Sequence, residues 1–68
     1  MQLNKIKEAL KTKRMSQKEL SVRLGKSFSR VNLYVSNKVQ PSIPTLYHIA
    51  EILDVDVREL LVSNKNKK

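Results

Sequence analysis

Residues 15–35 read Met15-Ser16-Gln17-Lys18-Glu19-Leu20-Ser21-Val22-Arg23-Leu24-Gly25-Lys26-Ser27-Phe28-Ser29-Arg30-Val31-Asn32-Leu33-Tyr34-Val35, and this stretch decides the fold. Ser16 to Glu19 has the S-x-x-E pattern of a capping box, in which the serine accepts from the Glu19 amide and the glutamate reaches back. The helix it opens turns Leu20 and Leu24 inward. It stops at Gly25, the chain's single glycine, which takes a positive φ without steric cost. Ser27 is a second N-cap, and the helix behind it, running to about Val35, has Val31, Tyr34 and Val35 as its inner stripe. Two helices of about eight residues thus meet at a tight turn with apolar stripes facing each other.

Reading outward, the same periodicity continues in both directions. Leu3, Ile6 and Leu10, with Ala9 beside them, predict a first helix over residues 3–13. Asn37 is the best non-glycine stop for the third helix. Ser42 caps a fourth, with Pro44 tolerated in its first turn and Ile43, Leu46, Ile49, Ala50 and Leu53 on one face. Asp56 caps a last short helix in which Leu60 and Leu61 are expected to be buried. No run alternates apolar and polar residues long enough for a strand. The expectation is an all-α fold of five helices over residues 1–62, followed by a disordered basic tail at 63–68.

Composition narrows the function. The 68 residues contain no cysteine and one histidine, which excludes a disulfide framework and leaves no zinc site of the usual kind. No apolar run exceeds three residues, against the roughly 18 a membrane span needs, and the start of the chain does not read as a signal peptide. The expected setting is cytoplasmic. The net charge of +8 is unevenly spread. Residues 1–40 hold ten Lys or Arg against two Glu, whereas residues 41–62 hold one Arg against four acids. A polyanion-facing side follows, and nucleic acid is the natural candidate.

The fragments Met15 to Leu20, Leu24-Gly25-Lys26-Ser27, Asn37-Lys38, Pro41-Ser42-Ile43, Thr45-Leu46, Ile49-Ala50, Leu53 and Glu59-Leu60-Leu61 follow one another in a telling order. In that order and spacing the chain resembles the phage repressor and Cro-like helix-turn-helix family from about residue 6 to residue 61. The resemblance implies a compact lambda-repressor-like domain in which helices 2 and 3 form the helix-turn-helix. It also implies a sequence-specific regulator of transcription, such as a repressor, that lays helix 3 in the DNA major groove. Carried over, the base-reading positions are Phe28, Ser29, Asn32 and Leu33. Their chemistry agrees in part, since Asn32 suits adenine, Ser29 donates or accepts, and Phe28 and Leu33 suit thymine methyls. Phosphate contacts are expected at Gln17 and Lys18, at the amide-rich start of helix 2. The remaining phosphate positions are Lys26, Ser27 and Arg30 and the loop Ser36-Asn37-Lys38. A domain of this size reads few base pairs, so a homodimer on an inverted repeat is expected, with an interface near Val55, Val57 and Val62.

The chain departs from the family in three ways. Arg14, Asn37 and Asp54 stand at common glycine positions; Asn and Asp suit left-handed backbone, while Arg14 predicts a changed or strained helix end. Leu10 and Val35 replace a frequent Arg–Glu ion pair and are expected to meet in the core. Phe28, Leu33 and Val39 make the reading face apolar, so the rival reading is a protein-interaction module, for example an antitoxin or another regulator's partner. An enzyme is the least favoured class. His48 has no nucleophile at recognisable spacing, Asp54 and Asp56 serve turns and caps, and one glycine makes no phosphate loop. No metal or cofactor is expected.

Overall fold

A computed structural model of the chain describes residues 2–65. Within them lie four α-helices, α1 (Ile6–Lys13), α2 (Gln17–Leu24), α3 (Phe28–Val35) and α4 (Ile43–Leu53), then a single 3-10 turn, Val57–Leu60. The expected fifth helix is therefore only that turn: Asp56 accepts from the Arg58 amide two residues on, closing a tighter start than the α-helical caps make.

Local chemistry sets most of the boundaries. Ser16, Ser27 and Ser42 each accept from the amide three residues later, filling one of the four donors a helix start leaves orphaned. Glu19 does not complete the capping box; its carboxylate pairs with Arg23 at 2.8 Å, one turn along. Every α-helix ends the same way. Arg14 (φ 55°), Gly25 (75°), Asn37 (64°) and Asp54 (56°) are left-handed. At each, that residue and the next turn their amides back onto the last helical turn, as in Lys26 N to Ser21 O (3.1 Å) and Lys38 N to Leu33 O (3.0 Å). Arg14 takes the left-handed turn without glycine.

The helices bury one shared cluster: Ile6 and Leu10 from α1, Leu20 and Leu24 from α2, Val31, Tyr34 and Val35 from α3, Leu46, Ile49, Ala50 and Leu53 from α4, and Leu60. Each large apolar side chain removed from water contributes about 1.5–3 kcal/mol before chain entropy is counted. Leu10 and Val35 both belong to this cluster and neither points into solvent. Leu61 and Ile43 are exceptions among the expected core residues, both being exposed.

The N-terminal segment departs most from expectation. Residues 3–5 are not helical. They run extended beside the chain after the 3-10 turn, with Asn4 and Leu61 in an antiparallel bridge. Lys5 N donates to Leu60 O (2.8 Å) and Val62 N to Leu3 O (3.0 Å). Leu3 matched the helical spacing of Ile6 and Leu10 but is exposed in this strap. Of the expected disordered tail, residues 63–65 are described, with Lys65 N donating to Ser63 Oγ (3.1 Å); residues 66–68 lie outside the described residues.

Candidate nucleic-acid interface

The inward stripe of α3 leaves its other side free. With Val31, Tyr34 and Val35 buried, the 3.6-residue period turns Phe28, Ser29 and Asn32 outward, all three exposed, while Leu33 is half-buried at the edge. Phe28 is 53% exposed, although an aromatic ring would ordinarily be drawn into the core. Arg30 and Ser27 are exposed beside it. Ser27 Oγ accepts from the Arg30 amide (3.1 Å), and its O–H remains available to donate.

A side-chain bond ties this surface to α2. Asn32 Nδ2 donates to Gln17 Oε1 at 3.1 Å. The bond fixes both amides, leaving Asn32 Oδ1 with one Nδ2 hydrogen, and the Gln17 Nε2 group, for an outside partner. Gln17 and Lys18 also sit in the first turn of α2, where backbone N–H groups have no helical acceptor and the dipole is positive.

Beyond α3, the loop Ser36-Asn37-Lys38 divides its labour. Lys38 and Ser36 are exposed, with Ser36 Oγ donating to Leu33 O (3.2 Å). Asn37 is turned inward. Its Oδ1 accepts from the amides of Leu3 (2.8 Å) and Asn4 (2.9 Å), its Nδ2 donates to Asn4 O (3.1 Å), and its own amide bonds Tyr34 O (3.1 Å). Asn37 thus spends its Oδ1, its backbone N–H and one Nδ2 hydrogen within the chain, which shapes the loop and leaves one Nδ2 hydrogen to offer an outside acceptor. Lys7, which sequence reasoning passed over, lines one open depression with Gln2, Glu8, Ser36 and Lys38. Only the fold brings residue 7 to this loop, so no local signal marked it.

Charge follows the same division. Over α2, the turn, α3 and its loop, Lys18, Arg23, Lys26, Arg30 and Lys38 face a single acid, Glu19, and Arg23 pairs with it. Around the opposite end, Glu51, Asp54, Asp56 and Glu59 are exposed. There the Arg58 side chain donates to both Asp56 carboxylate oxygens (3.0 and 3.1 Å). That hydrogen bonding, with the backbone bond from Arg58 beside it, holds the Asp56 carboxyl below its ordinary value and raises Arg58. Tyr47, His48 and Pro44 line an open depression at this end with the acids. Among the described residues no group of three His, Cys, Asp or Glu is placed to hold a metal ion, and no helix is long and apolar enough to cross a membrane.

Two helices of eight residues, a glycine turn and an exposed polar face on the second define a helix-turn-helix unit. The family model described as helix-turn-helix matches residues 6–60. The chain belongs to this helix-turn-helix family, of the phage repressor and Cro type. It is also similar to a solved structure described as "a putative DNA-binding protein from Bacteroides fragilis", with 40% sequence identity and a TM-score of 0.88. That match covers 91% of this chain and 100% of the other. No curated protein matches significantly.

Proposed function

We propose that this chain is a sequence-specific, double-stranded DNA-binding regulator of transcription, acting as a repressor that sets α3 in the major groove. The observation that carries this reading is the outer face of α3, where Phe28, Ser29 and Asn32 stand exposed and Asn32 is braced by Gln17. Asn32 accepts from adenine N6 through Oδ1 and donates to N7 through its free Nδ2 hydrogen. Gln17 Nε2 then lies toward the adjacent phosphate. Ser29 takes either kind of base edge, and Phe28, with Leu33 at the rim, contacts thymine methyls. The amides of Gln17 and Lys18 grip one stretch of backbone, and Lys38 grips another, joined by Ser36 once its hydroxyl turns from Leu33 O to the phosphate. Lys26, Ser27 and Arg30 add field and hydroxyl contacts that fix register without reading sequence.

One α3 spans too few base pairs for useful specificity, so the working form is a homodimer with half-sites about one helical turn (~34 Å) apart. The dimer contact belongs on the α4 and 3-10 side, away from the reading face. Val55 and Val57 are partly packed against the core there, and the exposed Leu61 and Val62 extend the apolar surface. A docked protein on the reading face is the weaker rival. Of Phe28, Leu33 and Val39, the last two are half-buried and only Phe28 is exposed.

Selection of bound duplexes from a random pool at about 0.15 M salt tests the reading. An enriched inverted repeat with half-sites about 10–11 base pairs apart supports it. Retention without enrichment would leave the fold intact and the function wrong.

A further inference from the structure

Asn4 is the most deeply buried polar residue described, 1% exposed, and it lies in a segment that hydrophobic periodicity assigns to a helix. Its side chain is fully used. Nδ2 donates to Tyr34 O (2.9 Å) and to Gln40 Oε1 (2.8 Å), and Oδ1 accepts from Ile6 N (3.1 Å). One amide therefore starts α1, which has no other side-chain cap, and ends α3. Asn37 answers from the other side, with its Oδ1 taking Leu3 N, Asn4 N and Gln40 Nε2 (3.1 Å). Gln40 closes the ring by bonding both asparagines. Among the described residues no buried side-chain N or O lacks a partner.

The Asn4 end of this network is shut off from water, so breaking its bonds to Tyr34 O and Ile6 N strands buried polar groups, while the Asn37 and Gln40 bonds lie nearer the surface. What the network encloses is the turn between the end of α3 and Gln40, from which Ser36 and Lys38 project. We propose that Asn4 and Asn37 are positioning residues: through them the N-terminal strap holds the loop after α3 in the one shape that presents Ser36 and Lys38 to a DNA backbone. This rests on the reading of α3 as the DNA-facing helix. It adds that the grip after α3 is preorganised from the far end of the chain, over 33 residues of sequence separation. Without the clamp, the loop's freedom must be frozen at each binding event, and affinity falls by that amount.

Asn37→Gly tests this with the fold kept, since glycine accepts the left-handed backbone and only the side-chain bonds are lost. The expected variant melts cooperatively and binds the selected duplex about tenfold more weakly. Its log–log salt slope is shallower by about 0.9, one phosphate contact. The ratio of selected to scrambled duplex affinity stays unchanged, because base contacts are untouched. Asn4→Ala is expected to show the same pattern if it folds. Equal affinity and equal slope in a folded Asn37→Gly protein would overturn the proposal. Amide exchange of Lys38 and Val39 in the free protein gives a readout that needs no DNA. Faster exchange in the variant is expected, and unchanged protection would overturn the clamp. A wild-type protein that selects no duplex would instead remove the functional reading, leaving exchange to judge the clamp alone.

Discussion

The α2–α3 pair and the α4–3-10 end supply side chains to the same core cluster, yet they turn opposite surfaces outward. The first is basic, with its one acid paired in Arg23–Glu19, and leaves Val22 and Phe28 in solvent. The second gathers Glu51, Asp54, Asp56 and Glu59 and leaves Tyr47, Leu61 and Val62 in solvent. Inward residues are interchangeable in kind across the two ends, so the fold does not distinguish them. The outward residues do, because they cost the core nothing and are free to suit a partner.

The sharpest way to break this contrast is to attack what the two ends share. Leu20 is completely buried between them, and Leu20→Ala is expected to cost about 2–5 kcal/mol in denaturant unfolding. Both ends should lose exchange protection together. Protection surviving in α4 after α2 has melted would mean the core is two clusters, not one.

A smaller effect sharpens the contrast at the surface. Asn32→Ala should cost about 1–3 kcal/mol of discrimination at a single base position of the selected site. Lys38→Ala should weaken all duplexes alike and reduce the salt slope by about one. Arg58→Ala, at the other end, should leave duplex affinity nearly as it was.

The helix stops form a finer test, because the same left-handed geometry is met by four different residues. A Cβ added at Gly25 meets nothing within 4 Å, so Gly25→Ala should cost only the backbone penalty, about 1–2 kcal/mol. Arg14→Gly should run the other way, raising stability by about 0.5–1 kcal/mol once glycine's entropy is set against the strain relieved. Asp54→Gly should gain less, since aspartate tolerates the conformation better. Thermal melts of the three variants fix the order, and an Arg14→Gly variant less stable than the parent would refute it.

Smallest of all is the Asp56–Arg58 pair, fully exposed at the acidic end. Because the folded carboxyl lies below its ordinary 3.8, its contribution is present above that value and disappears as pH falls through the lowered one. The melting difference between the parent and Asp56→Asn should therefore close between about pH 5 and pH 2. A difference that widens on acidification would contradict the pairing.

Where a boundary depends on neighbours in sequence, the chain alone reveals it. Ser16, Ser27 and Ser42 cap by reaching three residues ahead, and Gly25, Asn37 and Asp54 stop helices by their own backbone tolerance. The inner stripe of α3 follows from the same periodicity, and the resemblance to the family pointed to Phe28, Ser29 and Asn32, which stand outward. Four features were not legible, three for a nonlocal reason and one because two local partners compete. Leu3 fits helical spacing but is held in the strap by bonds to Val62 and Asn37. Glu19 chose Arg23 over its own cap, a competition that sequence states but does not decide. Asn37 looked like an outward loop residue, and only the packing of residues 3–5 beside α3 turns its amide inward. Lys7 joined the Lys38 side by the same packing.

On the proposed function, one face, α2–α3, meets DNA and the other does not. Amide chemical-shift mapping with the selected duplex tests it most directly. Perturbations are expected to concentrate at Gln17, Lys18 and from Ser27 to Lys38, with α4 and the 3-10 turn changing only where a second copy docks. Perturbations centred on Glu51 to Arg58, with α3 silent, would contradict it.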